Sequence, residues 1–82
     1  MAAAVNHNRQ DAQNSVAVTP SDTTDLSFVT TALYIGVAGD VTIIDPMGNT
    51  TLYKGVPVGI LPVSAARVKA TGTTATNIVA IW

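Results

Sequence analysis

Hydrophobic and polar positions alternate along the chain from Leu26 onward, whereas residues 1–25 show no such pattern apart from a short patch at 16–18. Short runs rich in Val, Ile, Thr and Tyr recur about every 8–12 residues, which is typical of half-buried strands. The runs predict strands at 28–35, 41–44, 50–54, 56–63, 64–70 and 77–82. No run has a convincing helical period, so we predict an all-β fold: a small antiparallel β-sandwich or barrel of about five to seven short strands.

Turn residues indicate where the chain reverses. Residues 45–49 (Asp-Pro-Met-Gly-Asn) form the clearest turn, because proline presets φ and glycine or asparagine tolerates the positive φ that closes a hairpin. We therefore expect the strand at 50–54 to return antiparallel to the preceding strand. Pro57 and Pro62 cannot donate ladder hydrogen bonds, so the segment that contains them is predicted to be a sheet edge or an extended crossover.

The first 25 residues differ in composition from the rest of the chain. They are rich in Asn, Gln, Asp, Ser, Thr and Ala, which predicts an extended or disordered N-terminal arm at 1–25, followed by a β domain at 26–82. Within the arm, Val16-Ala17-Val18 alternates and could add as a strand to a neighbouring subunit. The composition leaves open whether the arm is a free tail or becomes ordered along a partner.

Size and composition favour association with other chains. The 82 residues include no Cys, so no disulfide can form within the chain. The hydrophobic core of so short a chain contributes only about 3–5 kcal/mol to stability, and natural domains of this size usually add disulfides or other cross-links. Charged residues make up 11% of the chain, against about 25% in ordinary soluble domains. A net charge of −1 argues against nucleic acid, and no apolar run reaches the about 18–20 residues that span a membrane. These features predict a structural module that works as one subunit of an assembly.

Groups that could carry out catalysis or bind a metal are few. The single histidine, His7, lies in the polar N-terminal segment. Four carboxylates could in principle pair for acid–base chemistry: Asp22, Asp25, Asp40 and Asp45. Each is close to turn residues, where aspartate is favoured for its hydrogen bonds to the backbone. The glycine-containing segments lack the spacing of a nucleotide-binding loop. We therefore expect no enzyme activity, no cofactor and no metal site.

Several segments resemble a family of short proteins from tailed phages and gene transfer agents, the head spike base family. The resemblance covers residues 19–82 and leaves 1–18 outside. The matching segments begin with Thr-Pro-Ser-Asp at 19–22, continue through 25–26, 31–36, 38–41, 56–63 and 67–68, and end with Ala-Thr-Gly-Thr-Thr-Ala-Thr at 70–76 and Ile-Val-Ala-Ile-Trp at 78–82. Their order and spacing, together with the aromatic ending, make the resemblance specific.

This resemblance implies a structural virion protein on the exterior of a phage head, made in the cytoplasm of the bacterial host. It would be a capsid decoration or cement protein, or a subunit of a spike base at a vertex. The implied partners are the major capsid protein, further copies of the chain in a homotrimer or homopentamer, and a head fibre protein, with neither nucleic acid nor membrane. The alternative is a carbohydrate- or receptor-binding β module of a phage fibre or spike, which would use its aromatic residues for stacking. The residues expected at subunit or capsid contacts are Val16, Val18, Tyr34, Tyr53, Pro57, Pro62 and Trp82.

Overall fold

The computed structural model describes residues 14–82, which form seven strands and no helix. In chain order the strands are β1 (Ser15–Ala17), β2 (Ala32–Val37), β3 (Gly39–Ile44), β4 (Thr50–Val56), β5 (Gly59–Leu61), β6 (Arg67–Val68) and β7 (Thr76–Ile81). Sheet A has the order β1-β7-β2-β5, sheet B has the order β4-β3-β6, and every pairing is antiparallel. The prediction of a small all-β fold is confirmed. Residues 14–82 contain no helix that could span a membrane.

The core lies between the two sheets and is filled by small and branched aliphatic side chains. Leu33 and Ile35 of β2 face it from sheet A, and Val41 and Ile43 of β3 face it from sheet B, all nearly or fully buried. Side chains alternate between the two faces of a strand, so the residues between these ones point away from the core. The outward-facing residues of each sheet are therefore determined by the same alternation that builds the core.

The turn between β3 and β4 forms where the sequence predicts it. Gly48 has a φ of 91°, and its N–H donates to the Asp45 carbonyl at 3.0 Å. The Asp45 carboxylate accepts hydrogen bonds from the N–H groups of Met47 and Asn49, both at 2.9 Å. The strand that follows pairs antiparallel with β3, as predicted. A short loop with glycine at the left-handed position is a common way to close such a hairpin.

Residues 18–31 cross from sheet A to sheet B, and we call this segment the strap. Its backbone N–H groups donate to carbonyl oxygens of both sheets and of the loop before β6: Val18 to Ile78 at 2.9 Å, Ser21 to Val68 at 2.9 Å, Leu26 to Ala66 at 2.8 Å and Thr30 to Ala65 at 3.1 Å. The strand predicted around Val16–Val18 runs Ser15–Ala17 and pairs with β7 of the same chain. Residues 1–13 of the predicted arm lie outside the described residues.

Three predicted strands are shorter or start later in the structure. The first begins at Ala32 and not at residue 28, because residues 28–31 belong to the strap. The Thr30 N–H donates to the Ala65 carbonyl oxygen in the loop before β6, and the Thr31 N–H donates to the Ile81 carbonyl oxygen of β7. Apart from Val56, which is the last residue of β4, the proline-containing segment forms a strand only at Gly59–Leu61. This strand lies at the edge of sheet A, so the predicted edge position is confirmed. The 64–70 segment forms a strand only at Arg67–Val68. Beyond both ends of β6 this segment still bonds to β3, with the Ala66 N–H donating to the Ile44 carbonyl oxygen and the Lys69 N–H to the Thr42 carbonyl oxygen, both at 2.8 Å.

Candidate interaction surfaces

Charged residues are divided unequally between the two sheets. The strands of sheet A contain no charged side chain at all. The strands of sheet B contain Asp40, Lys54 and Arg67. The two sides of the module therefore differ in kind, with one neutral sheet and one charged sheet.

A row of neutral side chains crosses the outer face of sheet A. The strand registers place Ala17 beside Val79, Val79 beside Tyr34, and Tyr34 beside Ile60. These four residues lie on one face, because residues directly opposite each other on neighbouring strands project to the same side of a sheet. Tyr34 is 39% exposed and Ile60 is 59% exposed. We call this row the neutral face.

A second apolar region lies where the chain ends. The rings of Phe28 and Trp82 are stacked, with centroids 4.6 Å apart and planes inclined by 19°. Trp82 is partly buried against the core, whereas Phe28 is 54% exposed and its neighbour Val29 is also exposed. The strap thus places a half-exposed aromatic ring on top of the terminal tryptophan.

The charged side of the module is organised by an ion pair and by hydrogen bonds that involve the strap. Arg67 Nε lies 2.7 Å from Asp25 Oδ1, and Arg67 Nη1 donates to the Asp22 carbonyl oxygen at 2.9 Å. The Thr71 hydroxyl and N–H both donate to the Asp22 carboxylate, at 2.6 and 2.9 Å. The Thr71 hydroxyl is the main cause that holds the pKa of Asp22 below its ordinary value. Backbone and side-chain hydrogen bonds from Asn49 lower the pKa of Asp45 in the same way.

Two shallow hollows lie on the surface of the described residues. The first, of about 350 Å³, is lined largely by Thr and small apolar residues, including Val18 and Ile78. The second, of about 360 Å³, lies beside the β3–β4 turn and includes Asp45 and Tyr53. The Asp45 carboxylate is already bonded to the turn backbone. Within residues 14–82 no group of His, Cys, Asp and Glu side chains could hold a metal ion.

The residues predicted at subunit or capsid contacts lie in different regions of the surface. Tyr34 belongs to the neutral face. Pro57 and Pro62 are exposed and flank β5 at the edge of the same sheet. Val16 is half exposed on β1 at the opposite edge. Their role in contacts stays a prediction.

The other three predicted residues take part in packing within the chain. Val18, Tyr53 and Trp82 are partly buried against the core. Sequence reasoning missed Ile60 and Val79 as members of the neutral face. The alternation within β5 and β7 indicates which of their residues face outward, but only the sheet order shows that these residues meet Tyr34.

The fold defines a small two-sheet β module whose distinctive features are surfaces, with a neutral sheet face on one side and a charged strap on the other. Neither a family model nor a curated protein matches the chain. Among solved structures, a chain from the "Capsid of native GTA particle computed with C5 symmetry" is similar, where GTA denotes a gene transfer agent. It is 40% identical in sequence, with a TM-score of 0.79, over 88% of this chain and 84% of that one. This chain belongs to the same family as that chain of the gene transfer agent capsid, and is thus a phage-like, capsid-associated structural protein.

Proposed function

We propose that this chain is a decoration protein or spike-base subunit on the exterior of a phage or gene transfer agent head, where it binds the major capsid protein and oligomerises. The observation that carries the proposal is the 40% identity to a chain of a gene transfer agent capsid over nearly the whole described fold. A protein with this role needs complementary surfaces and no catalytic pocket. We therefore expect no enzyme activity.

The neutral face supports binding to other subunits. An exposed sheet face without charges is typical of a protein surface that another protein covers, because charged residues are depleted at the centres of interfaces. Tyr34 at its middle is the type of residue that contributes most to binding, since its ring is large and loses little entropy on ordering. Many copies on one shell would add avidity to each such contact.

The related capsid was computed with C5 symmetry, and a particle of that symmetry has room for rings of copies around a five-fold axis. A ring of five copies of this chain fits a spike base at a vertex, and a ring of three would fit a cement protein between capsomers. Cyclic rings need a head-to-tail contact between two different surfaces of each copy.

The test is incorporation into particles of the producing strain. Ile60→Glu places a charge in the neutral face, and Met47→Glu makes a similar change at the β3–β4 turn, where Met47 is 86% exposed. Both variants should fold, because both side chains already contact water. We expect Ile60→Glu to lower the copy number per particle at least about tenfold, because a buried unpaired charge at an interface costs several kcal/mol, whereas Met47→Glu should match the wild type.

The proposal fails if the wild-type chain is absent from purified particles, as measured by quantitative mass spectrometry. Equal incorporation of Ile60→Glu and wild type would instead show that the neutral face is not the binding surface. A particle reconstruction would then show whether copies surround a three-fold or a five-fold axis.

The stacked aromatic pair favours one second candidate, a carbohydrate-binding module. Exposed aromatic rings provide flat apolar faces of the kind on which sugar rings stack. Phe28→Ala removes the exposed ring and leaves Trp82 packed against the core. Binding on a glycan array that is lost in Phe28→Ala and retained in Ile60→Glu would favour this candidate, and absence of glycan binding by the wild type would dismiss it.

A further inference from the structure

The four edges of the two sheets are protected to different degrees. Pro57 and Pro62 flank β5, and prolines of this kind discourage pairing at an edge. The strap covers β6, because the Ser21 N–H donates to the Val68 carbonyl oxygen. The third edge, β1, is only three residues long. By contrast β4 is seven residues long and contains no proline, and within residues 14–82 no strand pairs with its outer edge.

Three residues of β4 direct their backbone groups to this open edge. The Asp45 N–H donates to the Asn49 carbonyl oxygen at 2.9 Å, so Asn49 bonds directly to the strand opposite. Hydrogen-bonded and non-hydrogen-bonded pairs alternate along an antiparallel ladder, so the next residues of β4 that bond to β3 are Thr51 and Tyr53. The residues between them have N–H and C=O groups that point away from β3. These residues are Thr50, Leu52 and Lys54, and all three are exposed.

We propose that β4 pairs antiparallel with β4 of a second copy, around a two-fold axis at Leu52. In this register Leu52 lies opposite Leu52 of the other copy, and Thr50 lies opposite Lys54. Every outward N–H and C=O of the three residues then gains a partner. The two leucines, each 47% exposed, cover one another, and no lysine faces a lysine.

Self-complementarity favours a second copy over a strand from a different protein. An open edge accepts any extended backbone, but this segment offers its own copy a matched set of side chains, with leucine to leucine and a cation to a hydroxyl. The contact uses a different surface from the neutral face and does not depend on capsid binding. Each edge accepts one partner, so the contact joins copies in pairs and is distinct from a head-to-tail contact that closes a ring.

Single-cysteine cross-linking tests the register, since the natural chain contains no Cys. Opposite Cα atoms in a hydrogen-bonded antiparallel pair lie about 5.5 Å apart, within the range that a disulfide spans. We expect Leu52→Cys to form a covalent dimer under mild oxidation. Thr50→Cys alone should not, because the two copies of residue 50 are offset by about 13 Å along the strands. A mixture of Thr50→Cys and Lys54→Cys should form a mixed dimer.

The contradicting result is cross-linking of Thr50→Cys with itself as fast as Leu52→Cys, or no cross-linking of Leu52→Cys above the rate of Met47→Cys. Met47 is the matched control because it is more exposed than Leu52 and lies in the turn. Either result would overturn the register around Leu52.

The backbone role of the edge has a separate test. Leu52→Pro removes an N–H that points away from β3, so it should abolish dimers in sedimentation while thermal unfolding stays cooperative. Leu52→Val keeps the N–H and a similar side chain and should retain the dimers.

Hydrogen exchange at residues 50, 52 and 54 should slow as the concentration of the purified chain rises. Slowed exchange only on particles would assign the edge to a capsid strand and overturn self-pairing. Apart from hydrogen exchange on particles, all of these measurements use the purified chain. A negative result in them would therefore contradict the pairing of β4 without contradicting the proposed binding to the capsid.

Discussion

Two buried threonines provide a matched test of how hydrogen bonds stabilise this small fold. Thr30 and Thr42 are 2% and 7% exposed. The Thr30 hydroxyl donates to the Val63 carbonyl oxygen and accepts from the Ala65 N–H, both at 2.9 Å. The Thr42 hydroxyl has no hydrogen-bond partner among residues 14–82. Replacing each by valine is the same change of shape and removes the same group, but the expected results have different signs.

The cost of Thr30→Val follows from the groups that it leaves unpaired. A buried N–H without a partner costs about 1–3 kcal/mol, and the bond to the Val63 carbonyl adds about 1 kcal/mol, so we expect a loss of about 2–4 kcal/mol. Since a core of this size supplies only about 3–5 kcal/mol, the variant should be close to unfolding. Thr42→Val removes a buried hydroxyl that nothing compensates, so stability should stay the same or rise.

Urea unfolding followed by circular dichroism measures both variants. With a slope of about 1 kcal/mol/M for a small chain, the midpoint of Thr30→Val should fall by about 2–4 M. The midpoint of Thr42→Val should be equal to or above that of the wild type. If both variants lose the same amount of stability, hydrogen-bond satisfaction does not distinguish the two sites and the reasoning is refuted.

Two further predictions concern backbone geometry and pH. A Cβ on Gly39 would lie 2.6 Å from the Ala75 backbone N, so Gly39→Ala should unfold the chain or lower its free energy of unfolding by several kcal/mol. Gly48 has open space around it and a φ of 91°, so Gly48→Ala should lower the free energy of unfolding by only about 1 kcal/mol in the same urea assay. Equal losses in the two variants would contradict the clash at Gly39. The pKa of Asp22 is lower in the folded chain than the ordinary 3.8, chiefly because of the Thr71 hydroxyl, so the carboxylate's contribution is present at neutral pH and is lost as the pH falls below 3.8 through the lowered value. Urea midpoints measured from pH 6 to pH 2 should therefore fall less steeply in Asp22→Asn than in wild type, and parallel curves would show that Asp22 does not contribute.

Local chemistry accounts for the parts of the fold that the sequence predicted. The 45–49 turn needs only proline, glycine and the aspartate that accepts backbone hydrogen bonds, and all of these are adjacent in the chain. The edge position of β5 follows from Pro57 and Pro62, which lack donors. Alternation along β2 puts Leu33, Ile35 and Val37 on one face, and the first two are buried in the core whereas Val37 is 45% exposed. Val37 is exposed because it lies at the end of β2, opposite exposed Thr76.

Long-range hydrogen bonds account for the parts that were missed. Residues 28–31 have the composition of a strand, yet Thr30 bonds to residues about 35 positions later and holds this segment in the strap. Similarly, Ala17 and Ile60 share one row of sheet A only because β7 and β2 lie between their strands. No local pattern contains the strand order, so the neutral face could not be assembled from the sequence alone, although its tyrosine was singled out.

The low charge of the chain has a structural meaning that its percentage alone does not convey. If the few charges were spread evenly, each sheet would expose some of them and neither face would suit a partner better than the other. The strap instead gathers Asp22, Asp25 and Arg67 on one side, where they hold the chain together. The strands of sheet A contain no charged residue, and the outer face of this sheet contributes no side chain to the core of residues 14–82. A face of this kind is stable to polar substitution within the monomer and sensitive to it within an assembly, which is why Ile60→Glu can separate folding from function in this protein.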